Sequence, residues 1–211
     1  MTEGLAVIGV DLDGVVHDFA SSLHKFLSHK NHPDVPSKID SLEVKYDFFT
    51  DWGIDHQTYR DLHDQAVDEG FAYQGPLIDD AVHHITRLYE AGHKVHIITA
   101  RPQKAILATM GWIIDHEIPF DSLTFSEDKN VIKTDTFIED NVANYKFLEQ
   151  SGCVPFLVDR GWNREAKGLF RRVENIGEFV DLVIGATGQE LRFDRIRWSD
   201  KFEFELPNVW Y

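Results

Sequence analysis

The sequence predicts an α/β protein built on a parallel, Rossmann-like sheet. Three observations carry this. The apolar run Val7-Ile8-Gly9-Val10 ends abruptly in Asp11-Leu12-Asp13-Gly14. Apolar strand-like runs then alternate with segments of helical spacing from residue 79 to residue 158, the pattern of a doubly wound sheet. The charged and hydroxyl-bearing residues of these segments fall directly after the strand-like runs. Open α/β sheets bind their ligands there, outside the carboxyl ends of the strands.

The elements follow in order. A short apolar run bounded by turn residues reads as a buried parallel strand. It leaves Asp11 and Asp13 together at its end. One aspartate is accounted for as a turn former. Two like charges side by side are costly unless a cation or a reaction uses them. In residues 79–91, Ala81, Val82, Ile85, Leu88 and Tyr89 recur at helical spacing, and Gly92 stops the helix. Residues 94–98 form the next strand, ending in Thr99-Ala100-Arg101-Pro102, and Pro102 opens a helix reaching to about residue 116. Strands at 122–125 and 136–138 follow, the second ending in Glu139-Asp140. Residues 141–150 read as a helix and residues 154–158 as a further strand.

Two regions break the alternation. Residues 19–75 hold helical pieces (19–27 and 57–67) around Pro33, Pro36 and the aromatics Tyr46, Phe48, Phe49 and Trp52, with no convincing strand. This reads as a small helical cap inserted after the first strand. The core is then residues 1–18 and 76–188. The tail, residues 189–211, reads as a β-hairpin turning at Ser199-Asp200-Lys201. That register pairs Trp198 with Phe202 and Ile196 with Phe204 on one face, and Arg197 with Glu203 and Arg195 with Glu205 on the other. Its apolar face is expected to pack on the core or to join copies of the chain in a homo-oligomer.

Bulk composition narrows the partners. The 211 residues carry 36 acidic and 21 basic side chains, for a net charge of −15. Such a field repels phosphate backbones and anionic bilayers, so neither a nucleic-acid polymer nor a membrane is expected as a partner. The single cysteine, Cys153, permits no internal disulfide. With no signal-like amino terminus and no long apolar stretch, a cytoplasmic location is expected. Histidines are numerous but lack ligand spacing; His83 and His84 diverge on a helix. Phosphate-loop and dinucleotide glycine patterns do not occur in the chain.

Four strand ends thus offer Asp11 with Asp13, Thr99, a lysine (Lys129 or Lys133), and Glu139-Asp140. This set resembles the four motifs of the haloacid dehalogenase (HAD) superfamily of phosphotransferases. Asp11-Leu12-Asp13-Gly14-Val15 is similar to the first, Ile97-Ile98-Thr99-Ala100 to the second and Phe137-Ile138-Glu139-Asp140 to the fourth. The resemblance spans about residues 5–160. It implies a Mg²⁺-dependent phosphomonoesterase with Asp11 as nucleophile and Asp13 as general acid and base. Asp13 should therefore be protonated when substrate arrives, its pKa raised by the neighbouring carboxylate. Asp11, the backbone carbonyl of Asp13 and Asp140 would hold Mg²⁺, with Glu139 either a ligand through water or a support behind the others. Thr99 and Lys129 would meet the phosphoryl oxygens. Dehalogenases of the superfamily lack the second aspartate, so Asp13 points to phosphoryl chemistry.

Within the superfamily the chain most resembles the 5′(3′)-deoxyribonucleotidases. Asp13-Gly14-Val15 with Asp18-Phe19, the approach Phe71, Gly75-Pro76 and Ala81, and Gly92-His93-Lys94-Val95 are similar to that family's pattern. Its lysine spacing favours Lys129 over Lys133. Three features depart: His17 replaces a small residue, Glu139-Asp140 replaces two aspartates, and the tail has no counterpart. The implied substrate is a nucleoside monophosphate, with another small phosphate ester such as a phosphosugar, or a non-catalytic interaction role, as alternatives. Phe49 and Trp52 either stack on a base or form the cap's own core. Arg101, beside Ala100, reaches substrate or starts a helix at the surface.

Overall fold

The structure, a computed structural model, describes residues 5–187. Strands β1 (Val7–Val10), β2 (Lys94–Thr99), β3 (Ser122–Phe125), β4 (Thr136–Glu139), β5 (Val154–Val158) and β6 (Arg172–Val173) form one sheet in the order β3-β2-β1-β4-β5-β6. Every pairing is parallel. The order reverses between β1 and β4, where connections leave in opposite directions and open a crevice at the strands' carboxyl ends. Val10 lies beside Ile97 on one side and Ile138 on the other. Continuing that register, Asp11 emerges level with Ile98, next to last in β2, and with Glu139, the last residue of β4.

Among the described residues six α-helices accompany the sheet: α1 (Phe19–His29), α2 (His56–Asp68), α3 (Ala81–Glu90), α4 (Ile106–Asp115), α5 (Val142–Gln150) and α6 (Ile176–Thr187). Ala81, Ile85 and Leu88 of α3, Trp112 and Ile113 of α4, and Ile176, Phe179 and Val180 of α6 pack on Ile8, Val10, Ile97 and Ile138. On the other face Leu148 of α5 meets Ile98 and Phe137. Right-handed crossovers running left and right from β1 produce this division. Side-chain caps set three helix starts: Asp18 for α1, Asp55 for α2 and Asn141 for α5 each accept backbone N–H bonds.

The observed elements follow the sequence reading with local differences. Helix α3 begins two residues later than expected because Asp79 and Asp80 both adopt left-handed backbone (φ 49° and 53°). β6 and α6 were not anticipated. β6 is two residues long, and the apolar residues of α6 are interrupted by Gly177 and Gly185, which blurs its period. The expected hairpin of residues 189–211, and any oligomer formed through it, lie outside the described residues. No described helix is long and apolar enough to cross a membrane.

The helical insert between β1 and α3 has its own hydrophobic cluster. Leu23, Phe26 and Leu27 of α1, Ala66 and Val67 of α2, and Phe48, Phe49 and Trp52 from a 3-10 turn at Phe48–Trp52 close together. Ala105, in the turn after β2, completes that cluster.

Gly9 sits where β1 faces the ring of Phe137: a Cβ there would lie 2.1 Å from Phe137 Cδ2. Gly9→Ala is expected to destabilise the fold by about 1–3 kcal/mol through overpacking. A lower urea midpoint at unchanged m-value checks it.

Candidate active site

Asp11 leaves β1 almost fully buried. Its Oδ1 accepts from Lys129 Nζ at 2.6 Å and from the Leu12 N–H at 2.8 Å. Lys129 Nζ also donates to the Ile98 carbonyl at 2.8 Å. Lys129 is 1% exposed, whereas Lys133 faces solvent. The structure thus brings Lys129, and not Lys133, to Asp11.

Glu139 and Asp140 close the other side. Glu139 Oε1 accepts from the Asp140 and Asn141 N–H groups at 3.2 and 3.0 Å. Trp162 Nε1 donates to Asp140 Oδ2 at 2.9 Å, and Asn163 Nδ2 donates to the Asp140 carbonyl at 2.8 Å. Gly14, at φ +79°, lies so close that a Cβ would stand 2.2 Å from Asp140 Oδ2. Only glycine fits both the backbone and the space.

Crowding sets the electrostatics. Burial, then repulsion from Glu139, pushes Asp11 up to about 7 against the pull of Lys129. Glu139 and Asp140 are also pushed up to about 7, first by burial; Asp140 repels Glu139, and Asp11 repels Asp140. Burial disfavours the Lys129 charge, but Asp11 and Glu139 outweigh it and hold the ammonium above its ordinary range. One oxygen of each carboxylate of Asp11, Glu139 and Asp140 lies within 4.8 Å of the others. Glu139 Oε2 is buried with no hydrogen-bond partner. Crowded, protonation-prone oxygens with an orphan among them fit a hard divalent cation such as Mg²⁺.

Asp13 turns away from this cluster. Its Oδ2 accepts from Arg101 Nε at 2.9 Å, and its Oδ1 from Arg101 Nη2 at 2.7 Å and from His17 Nδ1 at 2.7 Å. Burial acts to raise its pKa, but the Arg101 guanidinium and the His17 bond prevail and hold it well below the usual carboxylate range. This corrects the expectation of a raised Asp13: a bidentate guanidinium outweighs the neighbouring carboxylate. Arg101 is buried, not at the surface, and its guanidinium stacks 4.0 Å from the Tyr73 ring centroid. Thr99, fully buried at the end of β2, accepts from the Arg101 N–H at 3.3 Å.

Two adjoining cavities open here. One, of about 290 Å³, is lined by Asp11, Asp13, Thr99, Ala100, Arg101 and Lys129 together with Glu139, Asp140 and, from the insert, Phe19, His63 and Tyr73. The other, of about 340 Å³, shares Asp13, Phe19, Asp140 and Asn141 with it and is otherwise mostly apolar, with Tyr46, Phe49, Tyr59 and Trp162 in its wall. Phe49 stacks on Tyr59 (centroids 4.0 Å, 18° between planes). Trp52 reaches neither cavity; it packs against Phe48 at 4.9 Å and His24 at 5.8 Å in the insert's core.

Sequence reasoning did not single out Trp162 and Asn163, or the clamp of Asp13 by His17 and Arg101. Residues 159–163 directly follow β5, so the rule that strand ends supply sites would have pointed to them. Arg160 is buried beside them, donating from Nε to the Gly14 carbonyl at 2.8 Å.

The profile of the family described as 5′ nucleotidase, deoxy (pyrimidine), cytosolic type C protein matches residues 5–189. A Chlorobaculum tepidum protein provisionally named a 5′(3′)-deoxyribonucleotidase is 29% identical over 178 residues, covering 80% of this chain and 86% of its own length. A provisionally named nucleotidase of Oceanobacillus iheyensis is 21% identical over 132 residues, 58% of this chain and 70% of its own. In fold, the chain superposes on an L-2-haloacid dehalogenase with a TM-score of 0.57 at 12% identity, covering 85% of this chain and all of that one. A haloacid dehalogenase-like hydrolase from Bacteroides fragilis gives 0.53 at 16% identity, covering 83% of this chain and 99% of that one. With its strand order, its four strand-end motifs and this match over most of its length, the chain belongs to the cytosolic type C 5′ nucleotidases, phosphoric monoester hydrolases on the HAD fold.

Proposed function

We propose that the protein is a Mg²⁺-dependent phosphomonoesterase that hydrolyses (deoxy)nucleoside monophosphates through an aspartyl-phosphate on Asp11. The observation that carries this is the buried Lys129–Asp11 pair at the head of a cavity that continues into an aromatic chamber. Uncatalysed phosphate-monoester hydrolysis is among the slowest biological reactions. A carboxylate nucleophile divides it into two easier displacements.

Lys129 and the Leu12 N–H fix the plane of the Asp11 carboxylate before substrate arrives. Attack of Asp11 on phosphorus breaks the ester P–O bond, and Asp13 passes a proton to the departing alkoxide. Asp13 then takes a proton from the water that opens the aspartyl-phosphate. Arg101 lines the same cavity. As its guanidinium turns toward the incoming phosphate, its hold on Asp13 loosens and the carboxyl regains a proton. Thr99 and Lys129 meet the phosphoryl oxygens. Asp11, the backbone carbonyl of Asp13 and Asp140, with Glu139 directly or through water, would hold the Mg²⁺. Its charge allows carboxylates and phosphate to meet.

The insert serves as a cap whose aromatic chamber takes the base. Phe49, stacked on Tyr59, and Trp162 line it, while Trp52 supports the chamber from the core behind Phe48. The cytosolic family description supports a cytoplasmic location.

The test is phosphate release from nucleoside 5′- and 3′-monophosphates, phosphosugars and glycerol phosphate, with Mg²⁺ or EDTA. Nucleotide turnover that needs Mg²⁺ and vanishes in Asp11→Asn is expected. Turnover confined to sugar or glycerol esters would discard the nucleotide. Phe49→Leu, which keeps the insert's core filled, is expected to lower kcat/KM for nucleotides by about 5- to 150-fold, the equivalent of one lost base stack. Glycerol phosphate, having no base, should be unaffected.

The carboxylate cluster also gives a pH signature. In the metal-free fold Asp11, Glu139 and Asp140 keep protons up to about pH 7 that the unfolded chain releases near pH ~4. Their contribution to stability therefore falls as pH rises from about 4 to about 7 and stays low above that. Asp140→Asn removes one of the crowded charges. In EDTA at pH 8 it is expected to melt ~3–6 °C above the parent, with the gap closing by pH 5. It should also lose the rise in Tm that Mg²⁺ gives the parent.

A further inference from the structure

His17 is a buried titratable side chain that the proposed chemistry does not use. It is 0% exposed. Both ring nitrogens are engaged. The Gly75 N–H donates to Nε2 at 3.1 Å, and Ser22 Oγ lies 3.1 Å from the same atom. With the Nε2 lone pair in use, the ring proton sits on Nδ1, which points at Asp13 Oδ1 at 2.7 Å.

The Gly75 end is itself fixed. Trp112 Nε1 donates to the Gly75 carbonyl at 3.0 Å and its ring packs edge-on to His17 at 5.0 Å. A Cβ on Gly75 would lie 2.4 Å from the Asp18 carbonyl oxygen, and the Asp18 N–H donates to the Pro76 carbonyl at 3.0 Å. The two points where the chain crosses between sheet and insert therefore run side by side, with His17 against both.

We propose that His17 is a positioning residue: its Nδ1–H holds the rotamer of the Asp13 carboxylate and ties it, through Nε2, to the return crossing at Gly75. This rests on the phosphomonoesterase reading. Among the described residues, Arg101 and His17 are the side chains that hold Asp13. Once Arg101 turns to phosphate, His17 is the donor that keeps Asp13 aimed at the leaving oxygen.

The experiment compares His17→Ala, His17→Asn and His17→Gln in the full chain with Mg²⁺, on a nucleoside monophosphate and on glycerol phosphate. The asparagine amide takes the place of Nδ1 and the glutamine amide that of Nε2. His17→Ala is expected to lower kcat about 10- to 100-fold with KM within about threefold. His17→Asn should recover to within about threefold of the parent, and His17→Gln should stay as low as alanine. Recovery by glutamine instead of asparagine, parental kcat in all three variants, or a rise in KM alone overturns the proposal. Should His17→Ala fail to fold, the asparagine and glutamine variants decide alone.

A second readout needs no turnover. Long-range ¹H–¹⁵N spectra at pH 7 should show His17 as the neutral Nδ1–H tautomer, with its Nδ1 signal moved by Asp13→Asn. An Nε2–H tautomer overturns the proposal. If the parent releases phosphate from no ester, the phosphomonoesterase reading fails, and these spectra still decide whether His17 holds Asp13.

Discussion

Three carboxylates share one buried corner where β1 and β4 part, and the surrounding structure is arranged to tolerate them. Parallel register sets Asp11 level with Glu139, the last residue of β4, and Asp140 follows one residue further on. Lys129 answers them from beyond β3, with almost its whole length out of water. Gly14 makes room for Asp140, and Trp162 and Asn163 reach over from beyond β5 to bind it. The sheet order follows the same logic, since another order would not set these strand ends around one crevice.

Asp13 escapes the crowding by pointing elsewhere. Two residues from Asp11 in sequence, it faces a guanidinium and an imidazole, and its acidity moves the opposite way. The sequence showed the pair but not the direction of the shift. Arg101 is eighty-eight residues from Asp13 along the chain, and its reach depends on Tyr73 and Thr109 lying beneath it.

What was legible in the chain was local or periodic. Asp11, Thr99 and Glu139-Asp140 stand at the ends of short apolar strands, so a strand rule finds them. Lys129 needed a spacing argument, because Lys133 is as near in sequence and only folding buries one of the two. Trp162 and Asn163 follow a strand that was expected, and they were missed for want of charge. The aromatic cluster of the insert could not be divided by pattern. In the fold Phe49 and Trp52 both belong to the insert's hydrophobic cluster, and Phe49 also borders the chamber.

The insert's own hydrophobic cluster has a consequence for descent. Apart from Ala105, every residue closing that cluster comes from the insert itself. Its flanks meet the sheet through exposed ion pairs, Lys104 with Asp64 and Asp68 on one side and Arg164 with Glu43 on the other. Exposed pairs hold weakly and are readily re-formed. A lineage could therefore rewrite the chamber wall around Tyr46, Phe49 and Tyr59, while Tyr73 and Gly75, which touch Arg101 and His17, passed on with the strand-end machinery.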